Sequence, residues 1–364
     1  MELNKTKKNE EKIIKTGENP VAVNEFSQPV KGVSLWVDAW RRLKKNKMAI
    51  FAVVIIGIYA LLSLFAPILP IHDYKYQVLS HQYLPPSLTQ TGGELLYERT
   101  ESQMRLLAER DGREELNEEE LTELVELRQE VETDPIHQRR YLLGTDELGR
   151  DLFSRIIFGG QVSMLIGLIG TITSVIIGII IGAIAGYVGG KTDYFIMRVV
   201  DVMYGLPYML LIIILMALFG RQIFNLFLAL ALVSWLTVAR VVRGQIISLK
   251  NSEFVEAAQS MGAGSARIIF KHLVPNTLGI IIVFSTLRIP QFIMMEAFLS
   301  FLGLGISAPF ASWGSLVRDG VQGMGLYPWR LIFPALAMTL FLFFMNFLGD
   351  GLRDALDPQS KNRI

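Results

Sequence analysis

Residues 185–192, Ala-Gly-Tyr-Val-Gly-Gly-Lys-Thr, fit a relaxed phosphate-loop pattern with alanine where the first glycine would stand. Phosphate binding of that kind needs a short buried strand feeding the loop and a helix leaving it, so that backbone N–H groups and the helix dipole surround the anion. Here a membrane-length apolar stretch enters the loop and another follows almost at once, leaving no nucleotide domain for a magnesium-binding carboxylate. A short cytoplasmic turn carrying Lys191 is expected instead. The four histidines, His72, His81, His137 and His272, form no His-x-x-x-His pair, and three of them are widely spaced in one long connecting segment, so no metal site is expected. There is no Gly-x-Ser-x-Gly elbow and no cysteine, which removes serine-hydrolase, thiolate-metal, disulfide and cysteine-nucleophile chemistry. The chain reads as no enzyme, with no cofactor of its own.

What remains are polar groups embedded in apolar sequence, and these direct attention to the elements around them. The 364 residues are 51% apolar and only 19% charged, with 35 basic against 34 acidic side chains, and the mean hydropathy is +0.38. That composition is too apolar for an ordinary soluble domain, and the charge balance gives no pull toward nucleic acid. The apolar residues collect in six runs, about 49–70, 162–188, 199–220, 223–240, 277–303 and 331–349. Each approaches the roughly 20 residues a helix needs to cross a bilayer. Ser174–Ile184 and Leu226–Leu236 are apolar all round the helix, which argues against burial in a large soluble bundle. The expected fold class is therefore all-α, a polytopic membrane protein with six transmembrane helices. Glu296, Gln291 and Asp201 fall at membrane depth and are candidates for a translocation path or gate. Glu296 also suits a carboxylate near the outer interface satisfied by Ser300. Asp201 and Arg198, three apart on one helical face, suit a local salt bridge. Pro207 and Pro290 are expected to break or kink their spans.

Residues 1–48 form a polar leader ending in Arg41, Arg42, Lys44, Lys45 and Lys47, unlike a cleavable signal peptide, so the 49–70 helix should stay attached. The basic cluster puts the N-terminus in the cytoplasm, and alternation then puts Lys191, Arg198, Arg240, Arg243, Lys250, Arg267, Lys271, Arg353, Lys361 and Arg363 inside. The outside loops keep only Arg221, Arg318 and Arg330 besides one long segment, 71–161. Its 71–150 portion carries 18 acidic and 9 basic residues. Within it, Glu94–Glu132 reads as a small helical insertion, with Leu116, Leu121, Leu124, Val125, Leu127 and Val131 along one stripe. Asn117 and Glu120 have the spacing of a capping box, and Pro85-Pro86, Gly92-Gly93 and Pro135 are turn signals. A solvated face explains this segment, as does contact with a soluble partner. Gly178, Gly182 and Gly186 recur every fourth residue, a pattern that lets two helix backbones approach closely in lipid.

The longest loop on the expected inner side, 241–276 between the fourth and fifth runs, contains Ser252 to Asn276 and reads as two short helices. Ser252 can cap the first, Gly262 or Gly264 can end it, Ser265 can cap the second, and Pro275 can close that one. Ala257 and Ala258 offer a flat face, while Glu253, Glu256, Arg267 and Lys271 supply charges that select a partner. A cytoplasmic knob and a generic amphipathic loop suit these residues equally. Leu143–Asp151 is loop-like, with Gly144 and Gly149 as turn points and Thr145 and Asp146 as cap formers. It suits a tight turn or a docking surface.

Four stretches together carry a resemblance. Glu256-Ala257-Ala258 with Gly262 and the ending His272-Leu273-Val274-Pro275-Asn276 resembles the EAA loop of permease subunits of binding-protein-dependent ABC importers, of the oligopeptide/dipeptide OppC/DppC type. Leu143–Asp151 with Ser154-Arg155, Glu296–Gly305 and Gly349–Pro358 are similar to the same branch, so the likeness covers roughly 141–358. It implies a type I ABC importer permease fold in the plasma membrane, with five core helices over 162–349 and both termini, including 350–364, cytoplasmic. It further implies a second, similar permease, two cytoplasmic ATPase subunits that bind ATP and magnesium, and an extracellular binding protein that delivers peptide. On this resemblance Glu253, Glu256, Ala257, Ala258, Gly262, Arg267, His272, Pro275 and Asn276 form the ATPase-coupling loop. Gly144, Thr145, Asp146, Gly149, Arg150 and Asp151 become candidates for docking the binding protein. Nickel and glutathione importers share these motifs. A self-sufficient secondary carrier would be expected to show paired intramembrane charges or inverted repeats, and neither is clear here.

Overall fold

The computed structural model describes residues 35–356 apart from Arg221. The leader up to residue 34, Arg221, and residues 357–364 with Pro358, Lys361 and Arg363 lie outside the described residues. Among those described, the chain is helical without a named β-strand, one isolated bridge joining Thr145 to Asp151. Helix α1 (Leu35–Lys45) carries the basic cluster, and Asn46 then starts α2 (Lys47–Leu64) by accepting from the Ala49 N–H at 3.1 Å. The long segment that follows contains α3 (Gly92–Arg110) and α4 (Glu118–Thr133). The remaining helices are α5 (Leu152–Val188), α6 (Gly190–Gly205), α7 (Tyr208–Phe219), α8 (Ile223–Leu249), α9 (Glu253–Ser260), α10 (Ser265–Phe301), α11 (Trp313–Val321) and α12 (Trp329–Leu356). Five of these, α2, α5, α8, α10 and α12, are long and apolar enough to cross a membrane. The pair α6 and α7 makes a sixth crossing only if it is taken as one broken span, bent by 82°. The bend falls at Leu206-Pro207, where proline forces the preceding residue into extended backbone. Pro290, by contrast, sits within α10 without ending it.

The phosphate-loop look-alike is a helical corner. Gly189 ends α5 with φ +68°, Gly190 follows at φ +55° and α6 begins at once, with no strand entering. Upstream of that corner the three spaced glycines face α8. A Cβ would lie 2.5 Å from Val238 Cβ at Gly178 and 2.9 Å from the Arg243 carbonyl oxygen at Gly186, and at Gly182 it would strike the Ala239 carbonyl. Only glycine permits backbones this close, so the stripe makes α5 and α8 one rigid pair. At 1.5 Å per residue, α5 spans roughly 55 Å. Its start packs on Trp313 of α11 and its end on Ile246 of α8, so these mark the two ends of the bundle.

The 71–151 segment is anchored to the bundle rather than free. Both helices of its hairpin open with capping boxes, Thr91 with Glu94 and Asn117 with Glu120. Glu120 returns to the Asn117 N–H at 2.8 Å and is held by both Arg113 guanidinium nitrogens at 2.8 Å, which lowers its carboxyl to about 2. Gly92 and Gly93 are not a turn but the first residues of α3. A Cβ at Gly92 would sit 2.7 Å from the Tyr141 ring, and one at Gly93 2.5 Å from Val131. Their absent side chains let α3 sit on a buried His81–His137–Tyr141 cluster. His81 Nε2 lies 2.7 Å from His137 Nδ1, and His81 Nδ1 lies 2.8 Å from the Tyr141 hydroxyl. Leu84, Leu95, Leu96 and Tyr141 close a small core beside it.

Candidate functional site

At the C-terminal end of α5, the loop between α8 and α10 folds into a knob. Ser252 stands at the N-cap of α9, but its hydroxyl donates backward to the Leu249 carbonyl at 2.6 Å instead of capping. The helix ends in a reciprocal pair of bonds, Gly262 N–H to Gln259 O at 2.8 Å and Ala263 N–H to Ala258 O at 3.0 Å, with Gly262 at φ +79°. That left-handed position is the one glycine accepts without strain. The second half of the knob is not a separate helix. Ser265 lies in its first turn rather than capping it, since Gly264 occupies the cap. Pro275 is no terminus either. A π-helical turn over Ile268–Leu273 precedes it, and α10 continues into the span. Wider winding there relieves the clash that a proline ring makes with the preceding turn. Asn276 donates to the His272 carbonyl at 2.7 Å across this junction, where His272 is half-buried.

The Ala257–Ala258 pair divides between two faces. Ala258 is buried with Val255, Ile268, Ile269 and Leu273 against Val242 and Ile246 of α8, whereas Ala257 is exposed with Glu253, Glu256, Arg267, Pro275 and Asn276. Three exposed apolar side chains stand out on the same knob: Phe254, Phe270 and Met261, the last 82% exposed. The seven-residue spacing of Phe254 and Met261 is the sequence signal that would have found them, since it returns to one helical face. The knob therefore has an apolar base fused to two long helices and an outer surface suited to burial by another protein.

Above it lies a cavity of about 820 Å³ between the bent α6–α7 pair, α8, α10 and Asn346 of α12. Met203, Met209, Met294 and Met295 line it, flexible thioethers that fit differing shapes. Its polar side chains are Tyr204, Tyr208, Ser234, Thr237, Arg288, Gln291 and Asn346. Gln291 thus lies on the wall. Arg288 is a residue the spacing argument missed, although a lone arginine three positions before Gln291 on one helical face is a readable signal. Its Nη2 donates to the Ser234 carbonyl at 2.8 Å.

Asp201 does not line the cavity and does not pair with Arg198. Arg240 of α8 reaches it at 2.6 Å and lies 4.0 Å above the Tyr204 ring, while Arg198 donates to Tyr194 at 3.0 Å. Tyr204 in turn shares a 2.6 Å hydrogen bond with Thr237, and Arg243 holds Asp193 at 2.5 Å. These contacts lock α6 to α8 below the cavity. Glu296 is also absent from the cavity wall. It is fully buried, accepting from Ser300 and Ser312 hydroxyls, each at 2.6 Å. Since Ser312 caps α11, Glu296 fastens α11 to α10 from inside the packing.

At the opposite end of the bundle from the knob, Gly144, Thr145, Asp146, Gly149, Arg150 and Asp151 are all buried. Asp146 accepts from Arg150 Nε at 2.7 Å and from Arg155, and its backbone neighbours Leu148 and Arg150 donate to it at 2.9 and 3.0 Å. Asp151 caps α5 through the Ser154 N–H at 3.1 Å. These side chains fasten the loop from within and present no docking surface of their own; half-buried Glu147 and Leu148 are what it shows outward.

Comparison with known proteins agrees with this arrangement. Residues 178–362, covering α8, the knob, α10 and the cavity walls, match the family model described as binding-protein-dependent transport system inner membrane component. Residues 34–86 match the N-terminal TM domain of oligopeptide transport permease C. The hairpin α3–α4 falls between the two matches. Over 332 residues the chain is 41% identical to the oligopeptide transport system permease protein OppC of Haemophilus influenzae, covering 91% of each chain. It is 37% identical over 329 residues to the protein of that name in Bacillus subtilis, covering 90% of this chain and 91% of the relative. The Bacillus subtilis dipeptide transport system permease protein DppC is 40% identical over 323 residues, covering 88% and 85%. With multiple spans, a polar-lined cavity and a protruding loop matched along nearly its whole length, the chain belongs to the family of binding-protein-dependent transport system inner membrane components.

Proposed function

We propose that this chain is one permease half of an ATP-driven importer for short peptides, paired with a second permease and two ATPase subunits and supplied by an extracellular binding protein. The observation that carries this reading is the knob. Its base, Val255, Ala258, Ile268 and Leu273, is buried on α8, while Glu253, Phe254, Glu256, Ala257 and Met261 face outward. Such an element transmits a push because packed cores move between discrete arrangements instead of deforming. The permease binds no nucleotide or metal and performs no catalysis; ATP and magnesium belong to the ATPase subunits. Basic residues at the knob end, Arg240, Arg243, Lys250, Arg267 and Lys271, support a cytoplasmic position for that end, with both termini on the same side. The peptide cargo is the one named for the relatives, and the methionine-lined cavity suits cargo of varied side chains.

Co-purification after detergent extraction tests the reading. Wild-type chain should bring down a second permease and ATPase subunits, and Gly262→Pro should release the ATPases, because proline cannot adopt φ +79° or donate to Gln259. A lone chain that moves peptide across liposomes without ATP refutes it.

A further inference from the structure

Arg288 is the only charged group among the described residues that line the cavity. It lies near the middle of the membrane-length helix α10, half-buried, three residues before Gln291. One nitrogen is used, Nη2 toward the Ser234 carbonyl at 2.8 Å, and the guanidinium lies 5.6 Å from the Phe292 ring centre. Nε is buried without any hydrogen-bond partner. Among the described residues, no carboxylate comes within ion-pairing distance of it. The other buried or membrane-depth arginines of the bundle are paired: Arg155 and Arg150 with Asp146, Arg240 with Asp201, Arg243 with Asp193, and Arg330 with Glu147. An uncompensated cation at this depth is costly, and such groups mark substrate pathways.

We propose that Arg288 receives the terminal carboxylate of the peptide in transit, with Gln291 and Tyr204 as neutral hydrogen-bonding groups in the same cavity. This rests on the peptide-importer reading above. A guanidinium fork with unused N–H groups fits a planar carboxylate in two-pronged fashion, and the mostly apolar lining around it strengthens that bond. The cavity volume is in the range of pockets that hold a drug-sized molecule, enough for a few residues of peptide. The cation then acts on every peptide irrespective of side chains, because all unmodified peptides carry that carboxylate. Methionines around it tolerate the variable remainder.

The test uses the complete importer in proteoliposomes with ATP inside the ATPase compartment. Initial uptake of trialanine and of trialanine amide is measured, each at equal fractional saturation of the binding protein, so that the binding protein's own preference cancels. The wild type should favour the free carboxylate by roughly tenfold, equivalent to about 1.4 kcal/mol. Arg288→Gln should import the two at equal rates, and Arg288→Lys should keep a preference of several-fold. Preserved discrimination in the Gln variant overturns the proposal, and so does equal uptake by the wild type. If the Gln variant fails to assemble, the Lys variant decides, since loss of discrimination while the charge is kept contradicts the role given to that charge. Assembly lost with Gln but kept with Lys, together with no discrimination in the wild type, assigns the counter-charge to the second permease instead. A wild type that imports neither peptide fails differently, against the peptide reading itself.

Discussion

Acidification should loosen the α3–α4 hairpin through one histidine. His81 is fully buried between Tyr141 and His137, and burial first, then the neighbouring His137, Arg139 and Arg99, lowers its pKa to about 4. Asp134 opposes this and is outweighed. With the hairpin opened, His81 returns to about 6.5. A base whose folded pKa is depressed favours the open state wherever that state binds the extra proton, so stability is complete above pH 6.5 and is lost as the pH falls from 6.5 toward 4. Between pH 7.5 and pH 5 the two values give a loss of about 2 kcal/mol, or about thirtyfold in the closed-to-open ratio. Hydrogen exchange followed by mass spectrometry, corrected for the intrinsic pH dependence of exchange, should report that drop in peptides covering 92–138. Peptides from the Gly178–Gly186 stretch of α5 should not change. His81→Phe keeps an aromatic ring but removes the proton site, so its hairpin should be weaker at neutral pH and its exchange flat between the two pH values. Equal protection of the wild type at pH 7.5 and 5, or an unchanged slope in His81→Phe, refutes the reasoning.

Three further outcomes follow from the packing. Gly182→Ala should destabilise the detergent-solubilised protein by about 1–3 kcal/mol in thermal unfolding, because the added methyl meets the Ala239 backbone; Gly205→Ala, with open space around it, should behave like wild type. Glu296→Ala should lower stability by about 1–3 kcal/mol by stranding the Ser312 and Ser300 hydroxyls, and Glu296→Gln, which keeps an acceptor oxygen, should recover most of it in the same melt. Met261→Asp should leave the melting temperature within about 0.5 kcal/mol of wild type, since the side chain is 82% exposed, yet reduce ATPase co-purification severalfold.

What could be read from the sequence was what local rules govern. Apolar runs of bilayer length, the four-residue glycine spacing, the Asn117–Glu120 cap and the break at Pro207 each depend on residues a few positions apart, and each has its counterpart in the fold. The failures share a different cause. Asp201 and Arg198 have ideal spacing for a pair, but Arg240 comes from another helix 39 positions on. Asp146 and Asp151 look like groups of an open turn and are in fact capped, paired and buried. His81 and His137, widely spaced at 56 positions apart, meet at 2.7 Å. Pro275 reads as a helix stop until the π-helical turn before it supplies the room it needs. The burial of these groups and their distant partners, Arg240 for Asp201 and His137 for His81, come from tertiary packing, which no spacing rule records.

The same packing explains how the knob and the cavity can act together. Helix α8 carries Ser234 and Thr237 on the cavity wall and Val242 and Ile246 in the apolar base of the knob. Those positions are twelve residues apart at most, roughly 18 Å along one uninterrupted helix. Helix α10 repeats the arrangement, beginning inside the knob at Ser265 and reaching Arg288 and Gln291 without a break. The knob is thus tied to cavity walls twice, its base packed on α8 and its second half continuous with α10. The Arg240–Asp201 and Arg243–Asp193 pairs tie α6 to that rod, so the bent α6–α7 pair moves with it or those contacts must break. Since α5 is bound to α8 through the glycine stripe, displacement of the knob cannot be absorbed by sliding between these two helices. It must appear either as motion of the cavity walls against α12 or, in the importer proposed above, as motion of the whole unit against the second permease.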